Sequence, residues 1–306
     1  MTDVFEASIE YPDPDARKRL AQLTGIDDQR TRLEKGLMLT LDRAAIERWS
    51  TQHHKQVLPL IAHFQARPPL FLLAGDVGTG KTALAESIGD AVARSANIPV
   101  TLHRLSLGSR GSGLVGEMTQ LVTTAFDQFV EAARKSSGKT GQAKAGHILL
   151  IDEADALAQS RETQQMHHED RAGVNALIRG INELAEARLP VAVIMCTNRV
   201  GAIDPAVRRR AAEILRFGRP TTEQRLAVLR KGLEGVGFDE KQLAALVDAT
   251  GARKSEPGFT YSDLTQRLLP SIALDAFPNT PIRFDRALAI AKATNASPQF
   301  NEGTGD

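Results

Sequence analysis

With 306 residues, 38 basic side chains against 37 acidic ones and a net charge of +1, the chain has room for one large domain and one smaller one, and carries no strong field for nucleic acid or an anionic membrane. No apolar run reaches the ~18 residues that span a bilayer, and the acidic start MTDVFEASIEYPDPD lacks the basic-then-apolar layout of a signal peptide, so a soluble cytoplasmic protein is expected. The single cysteine, Cys196, excludes an internal disulfide framework and, inside VAVIMCT, reads as a buried structural thiol.

Residues 1–20, with Pro12, Pro14 and several acids, read as an N-terminal arm. From 28 to 48, Leu33, Leu37, Leu41 and Ile46 fall on one helical stripe. PLFLLAGDVGTGKTALAESIGDAVARSA then reads strand, glycine turn, helix. VTLHRLSL is a second strand, LVTTAFDQFVEAARKS a helix, SSGKTGQAKAG an exposed loop, and HILLIDEADAL a third strand with acids at its carboxyl end. RAGVNALIRGINELAEA is a helix and VAVIMCTN a fourth strand. Strands that are apolar throughout and alternate with helices predict an α/β fold, a parallel sheet covered on both faces.

After Pro220 the pattern changes. TTEQRLAVLRKGLEG opens with a capping box from Thr221 to Gln224, DEKQLAALVDATG runs from Asp239 to Gly251, and YSDLTQRLLPSIALDAF and RFDRALAIAKAT complete about four helices with no strand. The expected domains are therefore a large α/β domain over 21–218, a small all-helical domain over 219–294 and a disordered tail over 295–306.

Gly75, Gly80, Lys81 and Thr82 fit G-x-x-x-x-G-K-[ST] between a strand and a helix, the setting the phosphate-loop motif requires. Its glycines let the backbone N–H groups of Asp76, Val77, Gly78, Thr79 and Gly80, continuing into Ala83, turn inward on the phosphates of ATP. Lys81 reaches the β/γ oxygens and Thr82 takes Mg²⁺. The third strand delivers Asp152 to the metal and Glu153 to the attacking water. The competing reading, that this acidic pair caps the following helix, loses its appeal beside the phosphate loop. Asn198, at the carboxyl end of the fourth strand, either orients the lytic water or starts the turn NRVGAIDP. Arg208, Arg209 and Arg210 stand together past a helix cap at Asp204-Pro205. Such a triplet is either a solvated face or the source of an arginine given to a neighbouring copy, worth roughly 10³–10⁵-fold in phosphoryl transfer.

In this order the motifs resemble those of an AAA+ ATPase, from about residue 23 to 290. LTGIDD resembles the segment that contacts adenine, which implies roles for Gly25 and Ile26. GDVGTGKT and LLIDE resemble the two Walker motifs, CTN the first sensor, the arginine triplet the finger region, and GFTYSDL, with Ser262, the lid segment over the nucleotide. Ala211-Ala212-Glu213 replaces the family's second finger arginine, leaving Arg209 or Arg210. GLVGEMTQLVTTAF falls where the superfamily carries its pore loop, so Gly113, Leu114, Val115 and Gly116 are expected to touch a polypeptide.

GLVGEMTQLV, DRAGVNALIRGIN and AIDPAVRRRA look most like the pachytene-checkpoint ATPases. That resemblance implies a homo-oligomer, a hexamer by the superfamily's habit, that remodels a HORMA-domain protein through its pore. It also implies an anti-phage setting beside cGAS-like nucleotidyltransferases. A remodeller of a metabolic enzyme of the Rubisco-activating kind and a DNA-directed ATPase are the alternatives; the near-neutral charge argues against the second, and nucleic acid is not expected as a partner. His167, His168, Glu169 and Asp170 read as a polar loop in preference to a metal cluster.

Overall fold

The apolar runs pair side by side into a six-stranded sheet in a computed structural model of the chain, which describes residues 4–105, 117–136, 144–156, 168–253 and 256–299. Residues 1–22, 28–74 and 82–216 form one compact unit; residues 23–27, 75–81 and 217–306 form a second.

Along the chain run β1 (Phe5–Tyr11), α1 (Pro14–Gln22), α2 (Asp27–Leu41), α3 (Ala45–His54), α4 (Ile61–Gln65), β2 (Leu70–Gly75), α5 (Lys81–Ala85), α6 (Ile88–Ala96), β3 (Val100–Leu105), α7 (Glu117–Ser136), β4 (Gly146–Ile151), α8 (His168–Ala187), β5 (Val191–Thr197), α9 (Pro205–Arg208) and β6 (Ala211–Phe217). The sheet order is β1-β3-β4-β5-β2-β6. The four central strands are parallel, with Leu105 opposite Ile151, Ile151 opposite Met195 and Ala74 opposite Thr197, so their carboxyl ends lie level. Alternate strand residues face opposite sides. Leu70, Leu72, Leu149, Ile151, Val193 and Met195 pack with Phe126 and Phe129 of α7 and Leu177 and Ile181 of α8. The intervening Phe71, Leu73, Ile148, Leu150 and Ile194 are buried as well, and Leu41 of α2 sits against Gly146. A sheet covered on both faces accounts for strands without polar alternation.

Two strands depart from the sequence-based expectation. Residues 5–11, expected within an arm, pair antiparallel with β3 as an edge strand, and residues 14–22 form α1. Tyr11 is buried and its hydroxyl donates to the Glu86 carbonyl at 2.5 Å, tying the N-terminal segment to this unit. Ala211–Phe217 is likewise a strand, at the opposite edge beside β2.

In the second unit, α10 (Thr222–Gly232), α11 (Glu240–Ala249), α12 (Leu269–Ala276) and α13 (Phe284–Ala293) close on Leu229, Leu246, Phe259, Leu264 and Leu268. Thr221 with Gln224, and Asp239 with Gln242, form reciprocal capping boxes that start α10 and α11. Asp263–Leu268 is π-helical and ends just before Pro270, whose missing N–H interrupts the α-helical ladder. The tail expected over 295–306 is held at its start, because Ser297 Oγ donates to Asp263 at 2.7 Å.

Candidate functional site

In the first unit, the level carboxyl ends of β3, β4 and β5 bring polar groups together. Thr82, the second residue of α5, donates through Oγ1 to Asp152 Oδ1 at 3.2 Å, and the Glu153 N–H donates to the same oxygen at 3.0 Å. Arg104 of β3 brackets this pair: Nη2 lies 3.6 Å from Asp152 Oδ2, Nη1 2.5 Å from Glu86 and Nε 3.3 Å from Glu6 of β1. Glu153 is exposed and has φ +50°, a left-handed conformation that costs a non-glycine residue on the order of 1–3 kcal/mol. The Asp152 bond to its amide helps to hold it there. Strain of this kind clusters at catalytic positions.

Asp155, in the turn after β4, accepts the Thr197 hydroxyl and, at 3.1 Å, the Asn198 N–H; Thr197 Oγ1 accepts the Arg199 N–H at 3.0 Å. The third acid of DEAD thus fixes the end of β5, a role the sequence reading did not assign to it. Arg104 was also missed, because a charged residue inside a strand carries no motif. Of the finger candidates, Arg210 is engaged within its own chain, with Nε on Asn182 at 2.7 Å and Nη1 on the Ala206 carbonyl at 2.9 Å. Arg209 is exposed and its side chain makes no hydrogen bond or ion pair among the described residues.

In the second unit, the loop 75–81 is bonded onto itself and onto the segment after Gly258. Lys81 Nζ donates to the carbonyls of Gly75 (2.7 Å) and Asp76 (2.8 Å), and the buried Thr79 hydroxyl donates to Asp76 at 2.7 Å. Gly78 has φ +75°, and a Cβ there would meet Ser262 Cβ at 2.7 Å; its carbonyl accepts the Ser262 N–H at 3.1 Å. Only glycine suits both the conformation and the approach. Val77 is exposed and Gly80 has φ +96°. Gly25 has φ +74°, and its Cβ would fall 2.2 Å from the Tyr261 hydroxyl; Gln224 Nε2 donates to its carbonyl at 3.0 Å, and Ile26 is buried beside it. Burial, reinforced by the Asp27 charge, pushes the Tyr261 hydroxyl up to about 12, so it stays neutral.

Successive backbone N–H groups around positive-φ glycines are a backbone arrangement that can cradle an anion, and the Lys81 ammonium lies on the same loop. The Thr82 hydroxyl and the Asp152 carboxylate form an all-oxygen donor set, which suits a hard divalent cation. Gly113, Leu114, Val115 and Gly116 lie outside the described residues, as do His167 and the side chains of His168, Glu169 and Asp170. Among the described residues there is no group of three or more metal-ligating side chains, and no helix is long and apolar enough to cross a membrane.

Residues 71–219 match the family described as "ATPase family associated with various cellular activities (AAA)". The chain is 52% identical to CD-NTase-associated protein 6 of Escherichia coli strain MS 115-1 over 301 residues, covering 98% of this chain and 97% of that protein. Among solved structures, a chain of the E. coli MS115-1 HORMA:CdnC:Trip13 complex superposes with a TM-score of 0.91 at 51% identity, covering 97% of each chain. Rhizobiales Trip13 superposes with a TM-score of 0.76 at 47% identity, covering 96% of this chain and 99% of the other.

Proposed function

Since the chain belongs to the AAA ATPase family, with CD-NTase-associated protein 6 among its full-length relatives, and is an ATP hydrolase, we propose that it spends ATP on remodelling a HORMA-domain protein. What supports this partner most is the likeness, at 51% identity over 97% of both chains, to a chain of a HORMA:CdnC:Trip13 complex. The relative's name supports a setting beside a CD-NTase; the anti-phage role and the cytoplasmic location are part of the same proposal.

We assign the β/γ-phosphates to Lys81 and to the N–H groups of residues 76–80, the adenine side to Gly25 and Ile26, and the lid contact to Ser262. Thr82 and Asp152 hold Mg²⁺, which when bound neutralises phosphate charge. Glu153 accepts the proton of the attacking water, and Asn198 orients that water from the β5 side. Arg209, exposed and unengaged among the described residues, is the arginine given to a neighbouring copy, and this use needs a homo-oligomer, which we take to be a hexameric ring. Residues 21–218 then act as the ATPase domain and 219–294 as its lid.

Substrate is gripped by Leu114 and Val115 between Gly113 and Gly116. Each such side chain gains at most about 1.5–3 kcal/mol from burial, so a ring sums several weak grips and releases them readily. The paired change Leu114→Ala and Val115→Ala tests this. Melting temperature and basal ATP hydrolysis are expected to hold while remodelling stops; a double variant that folds and remodels at full rate overturns the assignment.

A further inference from the structure

Arg219, two residues past β6, is 13% exposed, and each arm of its guanidinium is engaged. Nε donates to the Asp76 carboxylate at 2.8 Å, Nη1 to the Gly258 carbonyl at 2.7 Å and Nη2 to the Ser297 carbonyl at 2.9 Å. All three partners belong to the second unit. Asp76 holds the loop twice over: its main-chain carbonyl receives Lys81 Nζ and the Thr79 hydroxyl, while its side chain goes to Arg219. Gly258 opens the segment whose Ser262 N–H reaches the Gly78 carbonyl.

The third partner is fixed separately. Ser297 donates through its N–H (3.0 Å) and Oγ (2.7 Å) to Asp263, a fully buried carboxylate that also accepts the Thr260 N–H at 2.9 Å. Arg267 Nη1 joins Asp263 at 2.9 Å and the Asn295 carbonyl at 3.1 Å. Burial alone would raise the Asp263 carboxyl; the hydrogen bonds from Thr260 and Ser297 outweigh it and hold the group below the ordinary carboxylate range. Asn295–Ser297 is therefore a strap seated on an ionised, satisfied anchor.

A carboxylate in a loop that takes a triphosphate is a liability, because like charges repel most where water is scarce. We infer that Arg219 is a positioning residue for the phosphate loop: it neutralises Asp76, sets its main-chain carbonyl for Lys81 and Thr79, and makes the loop's conformation depend on the C-terminal strap. A lysine could keep the charge but could not serve three acceptors lying along the guanidinium's fixed directions. The inference rests on the reading of residues 75–82 as the ATP site.

The test is steady-state ATP hydrolysis by the full chain, with melting temperature measured without nucleotide. Arg219→Ala should raise KM for ATP about tenfold, the loss expected of one charge-assisted hydrogen bond, while kcat holds. Arg219→Lys should recover only part of this, and Asp76→Asn added to Arg219→Ala should bring KM back toward the starting value by removing the uncompensated charge. A chain ending at Thr294 should raise KM, whereas one ending at Gln299 should not. A folded Arg219→Ala chain with unchanged KM, a lysine variant with wild-type KM, or a chain ending at Thr294 with wild-type KM overturns the inference. If Arg219→Ala does not fold, the lysine variant and the two truncations decide it. Lys81→Ala separates the two readings: if that chain still hydrolyses ATP, it is the assignment of the ATP site that fails.

Discussion

Asp155 Oδ2 accepts the main-chain N–H of Asn198 at 3.1 Å while its other oxygen takes the Thr197 hydroxyl, so a single carboxylate from the turn after β4 sets the end of β5. Two charge-assisted bonds of this kind contribute roughly 1.5–3 kcal/mol each. Asp155→Ala should therefore lower kcat at least about tenfold, by releasing Asn198, with KM for ATP nearly unchanged. Equal losses in kcat and in nucleotide affinity would show that Asp155 acts on binding instead.

Lys81→Ala should abolish ATP binding, since it removes the ammonium beside the loop. Glu153→Gln should bind ATP and not turn it over, because an amide cannot take the water's proton. Equilibrium titration with a fluorescent ATP analogue, run beside phosphate release, distinguishes the two. Wild-type turnover by the glutamine variant would end the role given to Glu153.

The arginine pair should separate by readout. Arg210→Ala forfeits its bonds to Asn182 and Ala206 and should cost about 1 kcal/mol of stability or more, seen as a lower melting temperature. Arg209→Ala should leave melting temperature alone and cut hydrolysis on the order of 10³-fold. Mixing Arg209→Ala chains with Glu153→Gln chains should restore part of the rate at interfaces with one intact glutamate and one intact arginine. Verified mixed oligomers with no recovery would contradict a shared site.

A pH dependence follows from the buried pair His103 and His147. His103 Nε2 and His147 Nδ1 are 3.1 Å apart, His147 Nε2 lies 2.9 Å from Ser136 Oγ, and Ser8 Oγ lies 3.3 Å from His103 Nδ1. One nitrogen between the rings must donate and the other accept, which a doubly protonated pair cannot do. Burial pushes the His147 imidazole below its ordinary value of 6.5. A depressed value means that the unfolded chain binds the extra proton first, so this contribution is whole above pH 6.5 and is lost as pH falls from there through the folded value. Denaturant midpoints across that window should fall more steeply for the natural chain than for His147→Gln; identical slopes would contradict the argument.

The proposed nucleotide site was legible because phosphate-loop chemistry demands fixed spacings: the loop glycines, Lys81 and Thr82 are close in sequence, and Asp152 and Glu153 end an unbroken apolar strand. The parallel core was legible for the same reason, since Leu70–Gly75 and Val191–Thr197 have no polar interruption. The edges were harder. Phe5, Ala7, Ile9 and Tyr11 alternate with polar residues, which is a strand signal, but Pro12 and Pro14 beside them are equally the mark of an irregular arm. Ala211–Phe217 begins with small and charged residues at an edge, where one strand neighbour replaces two and little apolar pattern is needed. The roles of Arg219 and Asp263 in the strap carried no signal: the Asp76 carboxylate lies 143 residues from Arg219 and Ser297 lies 34 residues from Asp263, and only the folded chain brings them together.

The most direct test of the whole account is hydrogen–deuterium exchange on a HORMA-domain protein, the proposed partner, incubated with the chain and ATP. The account predicts faster exchange in part of the HORMA protein with the natural chain and ATP, and none with Glu153→Gln, which binds ATP without spending it. Unchanged exchange under active hydrolysis, or acceleration of equal size with the Glu153→Gln chain, would contradict ATP-driven remodelling.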